Sequence, residues 1–485
     1  LLTLSFLAAE GLSRKAFPHH IQFWKLWTDN NASSYEVLGR TVGGYLMIAA
    51  DLIFVVLFYT ITSNYFGWWT PSGPLFEPDI IATPFPWLSA VGMSLNAGFW
   101  EECLFRAVPL AGAAIIGQKY GNKKLWIGTA MILQALIFAG AHANYPSYPS
   151  YSRLVELIIP SIFWGFVYLR FGLLPVIISH FGYDVVWFAM PLFVSSSSDV
   201  LFDKIMVVVL LLVPIWIILR SYFKTGKFHT LDDEAYNKTF IAPSKVEVDE
   251  VVDDSKDLTI YKKYRIVIIL VSLFGLAGIF MLPLREYSNV DLTVDRNYAI
   301  EMSGKYLLEN NIVLDDTWTM LTDLKSGKIN REDRFVWSKE GKSFYDKLIG
   351  KYLDNYIWNI RYVKFEGDID EKSEEYSVFI NPDGTLNQIR HKYPENAVGE
   401  RVNEKSARKI SQKYIYDKFL LASSDLDEIS ATPSNLINRD DWVFIYKNNL
   451  ESSEDTDLRI EISIAGDEVV SVNRYVHIPE EWDRD

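Results

Sequence analysis

The chain has 485 residues, 49% hydrophobic and 22% charged, with a formal net charge of −14 at pH 7, which leaves room for two or three domains. Acid and base balance over residues 1–285, whereas residues 286–485 hold about 40 acidic against about 26 basic side chains. An acidic tail without a basic patch disfavours nucleic acid as a partner and disfavours electrostatic adhesion to anionic lipid.

Taken in order, Leu1 to Ala9 followed by Arg14, Lys15, His19 and His20 has its charges after the apolar run, unlike a signal peptide. Residues 1–40 are therefore expected to be the end of an upstream membrane helix and a cytoplasmic segment. Apolar runs long enough to span follow at about 41–66, 86–117, 124–144, 154–170, 172–194, 203–220 and 264–284. Basic residues collect on alternate connections: Arg40 before the first run, Lys119, Lys123 and Lys124 after the second, Arg170 after the fourth, and Arg220 to Arg265 between the last two. Those ends are expected in the cytoplasm. The other connections carry Trp68-Trp69, the Tyr-Pro-Ser stretch at 145–152 and Ser195 to Ser198 and read as external, which puts everything after Leu284 outside. The expectation is an all-α multi-pass membrane domain of about seven or more transmembrane helices, with an acidic cytoplasmic loop at 221–263 and a last transmembrane helix at 264–285. An extracytoplasmic α+β region would follow.

Within that region the order helix, strand, hairpin, strand occurs twice: Tyr298 to Glu309, Trp358 to Phe365 and Tyr376 to Lys392, then Ala407 to Phe419, Trp442 to Lys447 and Leu458 to His477. Turn signals at Asn381-Pro-Asp-Gly384 and Ala465-Gly-Asp467 separate alternating strands. Two repeated small modules are expected, 286–396 and 397–485, serving as a spacer or a platform for a protein partner. In outline they resemble cystatin-like or PepSY-type modules, without a diagnostic motif.

Chemistry concentrates in the apolar part. Phe99-Trp-Glu101-Glu102-Cys-Leu-Phe-Arg106 puts three ionisable groups inside a stretch apolar enough to span. Each costs roughly 2.5–3.5 kcal/mol at the bilayer centre and so marks a working site or a paired one. If helical, Glu102 and Arg106 share a face and neutralise each other, and Glu101 projects about 100° away. Cys103, the only cysteine, reads as apolar filler; no disulfide or thiolate zinc site is available. The third run ends Phe138-Ala-Gly-Ala-His142 and the fifth contains His180-Phe-Gly-Tyr-Asp184. Both pairs are spaced i, i+4, so Asp184 is placed to accept a hydrogen bond from His180 and fix its tautomer. Asp51, alone in the first run, is as well explained by a neighbouring hydroxyl or a wet cavity as by function.

Glu101-Glu102-x-x-x-Arg106, Phe138-x-x-x-His142 and His180-x-x-x-Asp184 resemble the three ordered motifs of the CPBP family of intramembrane proteases, also called the CAAX protease and bacteriocin-processing, or Abi, family. The resemblance covers roughly residues 86–195 within an expected protease domain at 41–220, and the third motif ends in Asp where many relatives have Asn. It implies that Glu101 activates a water for attack on a peptide carbonyl with His142 alongside. It also implies that His180 and Asp184 orient the water or stabilise the oxyanion, and that Glu102, Arg106 and Phe138 support them. The expected protein is then a multi-pass endopeptidase of the bacterial cytoplasmic membrane, acting on a membrane-embedded or membrane-associated protein or peptide in the lipid bilayer. No cofactor is preferred; zinc, if present, would sit on Glu101, His142 and His180, but no HExxH is present. The competing reading is a non-proteolytic membrane scaffold or immunity-type regulator that keeps the polar cluster for helix packing.

Overall fold

The computed structural model describes residues 2–68, 78–143, 147, 149–197, 199–239, 262–281, 292–325 and 331–484. These divide into two compact units. One is drawn from 1–72, 87–190 and 202–287, the other from 73–86, 191–201 and 288–485.

The first unit is helical: α1 Leu2–Ala16, α2 Tyr35–Phe66, α3 Pro86–Glu101, α4 Val108–Tyr120, α5 Lys123–Ala141, α6 Ser152–Phe171, α7 Leu173–Phe188, α8 Leu201–Leu211, α9 Val213–Thr225 and α10 Lys262–Met281. Ser34 caps α2, its hydroxyl accepting from Val37 N–H at 3.3 Å, and Gly67 ends the helix in the left-handed conformation. A core of Cys103, Ala107, Leu110, Phe138, Trp164, Tyr168 and Val176 is ringed by outward-facing Ile132, Leu136 and Ile137 on α5 and Ile159, Phe163 and Phe166 on α6. Large apolar side chains facing out on successive helices are what a lipid surround calls for. This is a membrane protein.

By length and composition, α2, α5 and α6 can each cross a bilayer, and α8 with α9, bent by 59° at their junction, makes a fourth if taken as one span. The sequence expects about seven or more, and the other three stretches do not qualify as single spans: the 86–117 run is divided by a π-helical turn at Glu102–Ala107, α7 is 16 residues long, or about 24 Å, and of the 264–284 run Tyr264–Ala277 counts as a shorter apolar helix among the described residues. Other readings that fall outside them are Trp69, Tyr145, Pro146 and Tyr148 of the Tyr-Pro-Ser stretch, Ser198, 240–261 of the acidic loop and 282–284 of the last run.

The π turn has a visible cause. Pro109 has no N–H to give the Phe105 carbonyl, so the i to i−4 ladder fails there. Val108 N–H instead reaches the Cys103 carbonyl, five residues back. Helices approach closely where side chains are small: a Cβ at Gly98 on α3 would lie 2.6 Å from the Phe181 backbone nitrogen on α7.

The second unit holds two four-stranded antiparallel sheets, each preceded in the chain by a helix: α11 Arg296–Glu309 before β1 Thr319–Lys325, β2 Ile357–Val363, β3 Glu375–Ile380 and β4 Leu386–Lys392, then α12 Glu404–Phe419 before β5 Leu426–Asn435, β6 Asp440–Asn448, β7 Asp457–Ala465 and β8 Glu468–His477. Both sheets follow chain order. Buried Ala299, Ser303 and Leu307 on α11 form an i, i+4 stripe toward the first sheet, as Ala407, Ser411 and Ile415 do on α12 toward the second. Each helix also ties its serine to a strand tyrosine, Ser303 to Tyr362 and Ser411 to Tyr446, both at 2.6 Å. Beyond the expected elements the structure shows β1 and β5 at sheet edges and two short helices, Arg331–Glu340 and Lys342–Leu348, between β1 and β2.

Candidate active site

The last residue of α3, the π turn, the end of α5 and the middle of α7 converge on one polar cluster. Glu101 Oε2 lies 3.9 Å from His142 Nε2 and 3.8 Å from His180 Nε2, and has no hydrogen-bond partner among the described residues. Asp184 Oδ2 lies 3.6 Å from the same His180 nitrogen. Glu101, His142 and Asp184 keep a little solvent exposure, at 15%, 20% and 16% of their side chains, so the cluster is sheltered without being sealed.

Both imidazoles are held from behind. His142 follows the last residue of α5, and its Nδ1–H folds back to donate to the Phe138 carbonyl at 2.8 Å, drawing the ring toward the helix body. His180 donates Nδ1–H to Glu102 Oε1 at 2.7 Å. With each Nδ1 so bound, each Nε2 is left pointing at Glu101. The sequence reading gave the tautomer-fixing part to Asp184; the structure gives it to Glu102, because the π turn rotates Glu102 toward α7.

Glu102 is itself paired with Arg106 at 3.2 Å, and both side chains are wholly buried. The Arg106 guanidinium sits 3.9 Å from the centre of the Phe138 ring and 5.1 Å from that of Trp164, which suits a delocalised cation better than an ammonium. Its remaining edge donates to Ser161 Oγ at 3.3 Å, and Ser161 donates on to Gln134 Oε1 at 3.1 Å. All seven residues singled out from the sequence therefore lie in one contiguous set.

The structure adds a buried layer. Asp51 Oδ2 on α2 accepts from Trp164 Nε1 at 3.0 Å and from Ser179 Oγ at 2.8 Å. The Trp164 indole packs against the His180 imidazole with centroids 4.8 Å apart. The charge of Asp51 in an apolar run was the available signal for this layer; nothing in the sequence pointed to Trp164, Ser179 or Gln134.

Tetrahedral zinc bound at 2.0–2.1 Å requires ligand atoms roughly 3.3–3.4 Å apart. The 3.8 and 3.9 Å separations exceed that, and no group of three His, Cys, Asp or Glu side chains among the described residues frames a metal ion.

Residues 83–186 match the family model of the Rce1-like, type II CAAX prenyl endopeptidases. That segment belongs to the Rce1-like family. The Rce1-like segment contains every residue of the Glu101 cluster and ends two residues past Asp184, while Asp51 lies outside it. Comparison with curated proteins and with solved structures gave no match.

Proposed function

We propose that the chain is an intramembrane endopeptidase of the CAAX prenyl protease type that hydrolyses a peptide bond with a water activated by Glu101. The observation that carries this reading is the pair of 3.8 and 3.9 Å separations between Glu101 Oε2 and two imidazole nitrogens. They are too long for direct hydrogen bonds, so this carboxylate oxygen faces both imidazoles with no protein partner of its own among the described residues and is free to accept from a water. A water placed there donates to the carboxylate, which takes its proton as the oxygen attacks the carbonyl. The Nε2 atoms, preset in orientation by the Nδ1–H bonds to Phe138 and Glu102, accept the water's other hydrogen and orient it, and the proton held by Glu101 passes to the leaving amine. Asp184 Oδ2, 3.6 Å from His180 Nε2, lies on the same side of that ring as Glu101.

In this reading the helices of the first unit form a multi-pass membrane domain, with Pro86–Tyr120, α7 and α10 crossing alongside the spans that qualify singly. The two helix-plus-sheet parts of the second unit are copies of one module, placed outside the cytoplasm. The substrate is a membrane-embedded or membrane-associated protein or peptide.

The test is cleavage of a prenylated CAAX-ended peptide by the purified chain in lipid, read by mass spectrometry. Alanine at His142 or His180 should each lower turnover by at least about a hundredfold, and a zinc chelator should leave the parent protein unaffected. Chelation that abolished cleavage, with zinc restoring it, would overturn the metal-free mechanism; full activity in both alanine variants would overturn the site.

A further inference from the structure

The second unit contains an open cleft of about 1000 Å³ between the first sheet and the α12–β8 face of the second. Its floor carries two phenylalanines, each with two cations against its ring. Lys325 Nζ and the Arg390 guanidinium each lie 5.3 Å from the Phe379 centroid; Arg474 lies 4.5 Å and Lys418 Nζ 5.9 Å from that of Phe419. Rings attract cations, but they do not neutralise them.

Elsewhere the second unit pairs its cations freely: Arg361 with Glu375, Arg408 with Glu404 and Glu428, Arg439 with Asp441. None of the four cleft cations makes an ion pair among the described residues. Arg390 Nε is buried without a hydrogen-bond partner, and Lys418 reaches only a neutral acceptor, the Asn387 carbonyl, at 2.7 Å. Desolvation against the cleft wall, with a smaller effect from the neighbouring Arg474, pushes the Lys418 ammonium down to about 8 although part of the side chain stays exposed. In a region with about 14 more acidic than basic residues, four cations left unpaired in one concavity are aimed at an anion that the chain does not itself supply.

The acidic residues on the cleft wall narrow its identity. Asp79 is occupied by Leu324 N–H at 2.9 Å, and Asp383 by the Thr385 N–H and hydroxyl at 2.9 and 2.6 Å. Asp323 and Asp354 remain, both within the field of Lys325. A wall of both signs on an acidic chain repels a continuous polyanion such as nucleic acid or an anionic lipid surface. It accepts separate carboxylates carried on a peptide backbone, with apolar side chains on the Phe379 and Phe419 rings.

We infer that this cleft is a docking site for an acidic segment of another polypeptide, whose Asp or Glu side chains pair with Lys325, Arg390, Lys418 and Arg474. The inference does not depend on the protease reading, since it concerns the second unit alone.

The experiment uses the full chain in nanodiscs of zwitterionic lipid, panned against a displayed library of random peptides about ten residues long. Enriched peptides should carry Asp and Glu in clear excess. The affinity of a selected peptide should fall about tenfold or more in Lys418→Gln and in Arg474→Gln, while Arg474→Lys restores it to within about threefold. Lys418 lies at the solvent-exposed rim, so its variant reads out binding even if loss of Arg474 disturbs packing on Phe419. Absence of enrichment, enrichment without acidic bias, or unchanged affinity in the Lys418 variant would overturn the inference. So would Lys418-dependent binding of phosphatidylglycerol vesicles in place of any peptide.

Discussion

Asp51 shows how a costly residue becomes intelligible through its partners. A lone carboxylate in an apolar helix is expensive, but this one satisfies the Trp164 indole N–H and the Ser179 hydroxyl, fixing the surfaces on either side of His180. Asp51→Ala strands both donors in a buried site, a loss of about 1–3 kcal/mol. We expect a lower melting temperature and a fall in kcat larger than any rise in KM, measured in the same lipid preparation; unchanged values for both would remove Asp51 from the account. The other polar residues of the site were legible one by one, because charge at membrane depth is conspicuous in a sequence. Their division of labour was not: an ideal α-helical wheel places Asp184 below His180, and only the π turn reveals that Glu102 takes the imidazole N–H.

That turn belongs to a larger pattern in which backbone irregularity, rather than a single side chain, sets the site. Pro109 breaks the ladder, the turn at Glu102–Ala107 widens, and Glu101 is left at the end of α3, close to α7. Gly98 brings those helices together, one turn before Glu101. A methyl group there meets backbone atoms of Phe181 at 2.6 and 2.9 Å, which cannot rotate away. Gly98→Ala should therefore both destabilise the protein and reduce turnover by widening the Glu101 to His180 gap; a variant with parental turnover would show that this approach does not set the gap. In the sheets, legibility followed burial. Strands β6 and β7 alternate buried and half-buried residues almost without exception, and their pattern is plain in the sequence. Strand β5, at a sheet edge with mostly exposed residues, has no apolar alternation to read, and edge strands commonly avoid one.

Across the whole chain the distribution of charge foretold two kinds of structure: an electroneutral apolar half that folds into helices, and an acidic half that folds into sheets. The acidic half is held in part by pairings with a defined pH range. Arg361 grips Glu375 through two hydrogen bonds of 2.8 Å and lowers its pKa below the ordinary 4.5. Because the folded value is the lower one, this contribution is complete above pH 4.5 and disappears as pH falls through the depressed folded value. Thermal unfolding of the sheets, followed by strand circular dichroism on the full chain, should become easier below about pH 4.5. Arg361→Gln should flatten that dependence, and an identical pH profile in the variant would remove this pair as a cause. The central claim rests in the other half, on Glu101 as the base, and replacing it by glutamine tests it most directly, since glutamine keeps the shape and removes the proton acceptor. Turnover and melting temperature of Glu101→Gln should be measured side by side in lipid. The account predicts that turnover falls by at least about a hundredfold while the melting temperature holds or rises; parental turnover, or a loss of stability with cleavage intact, would contradict it.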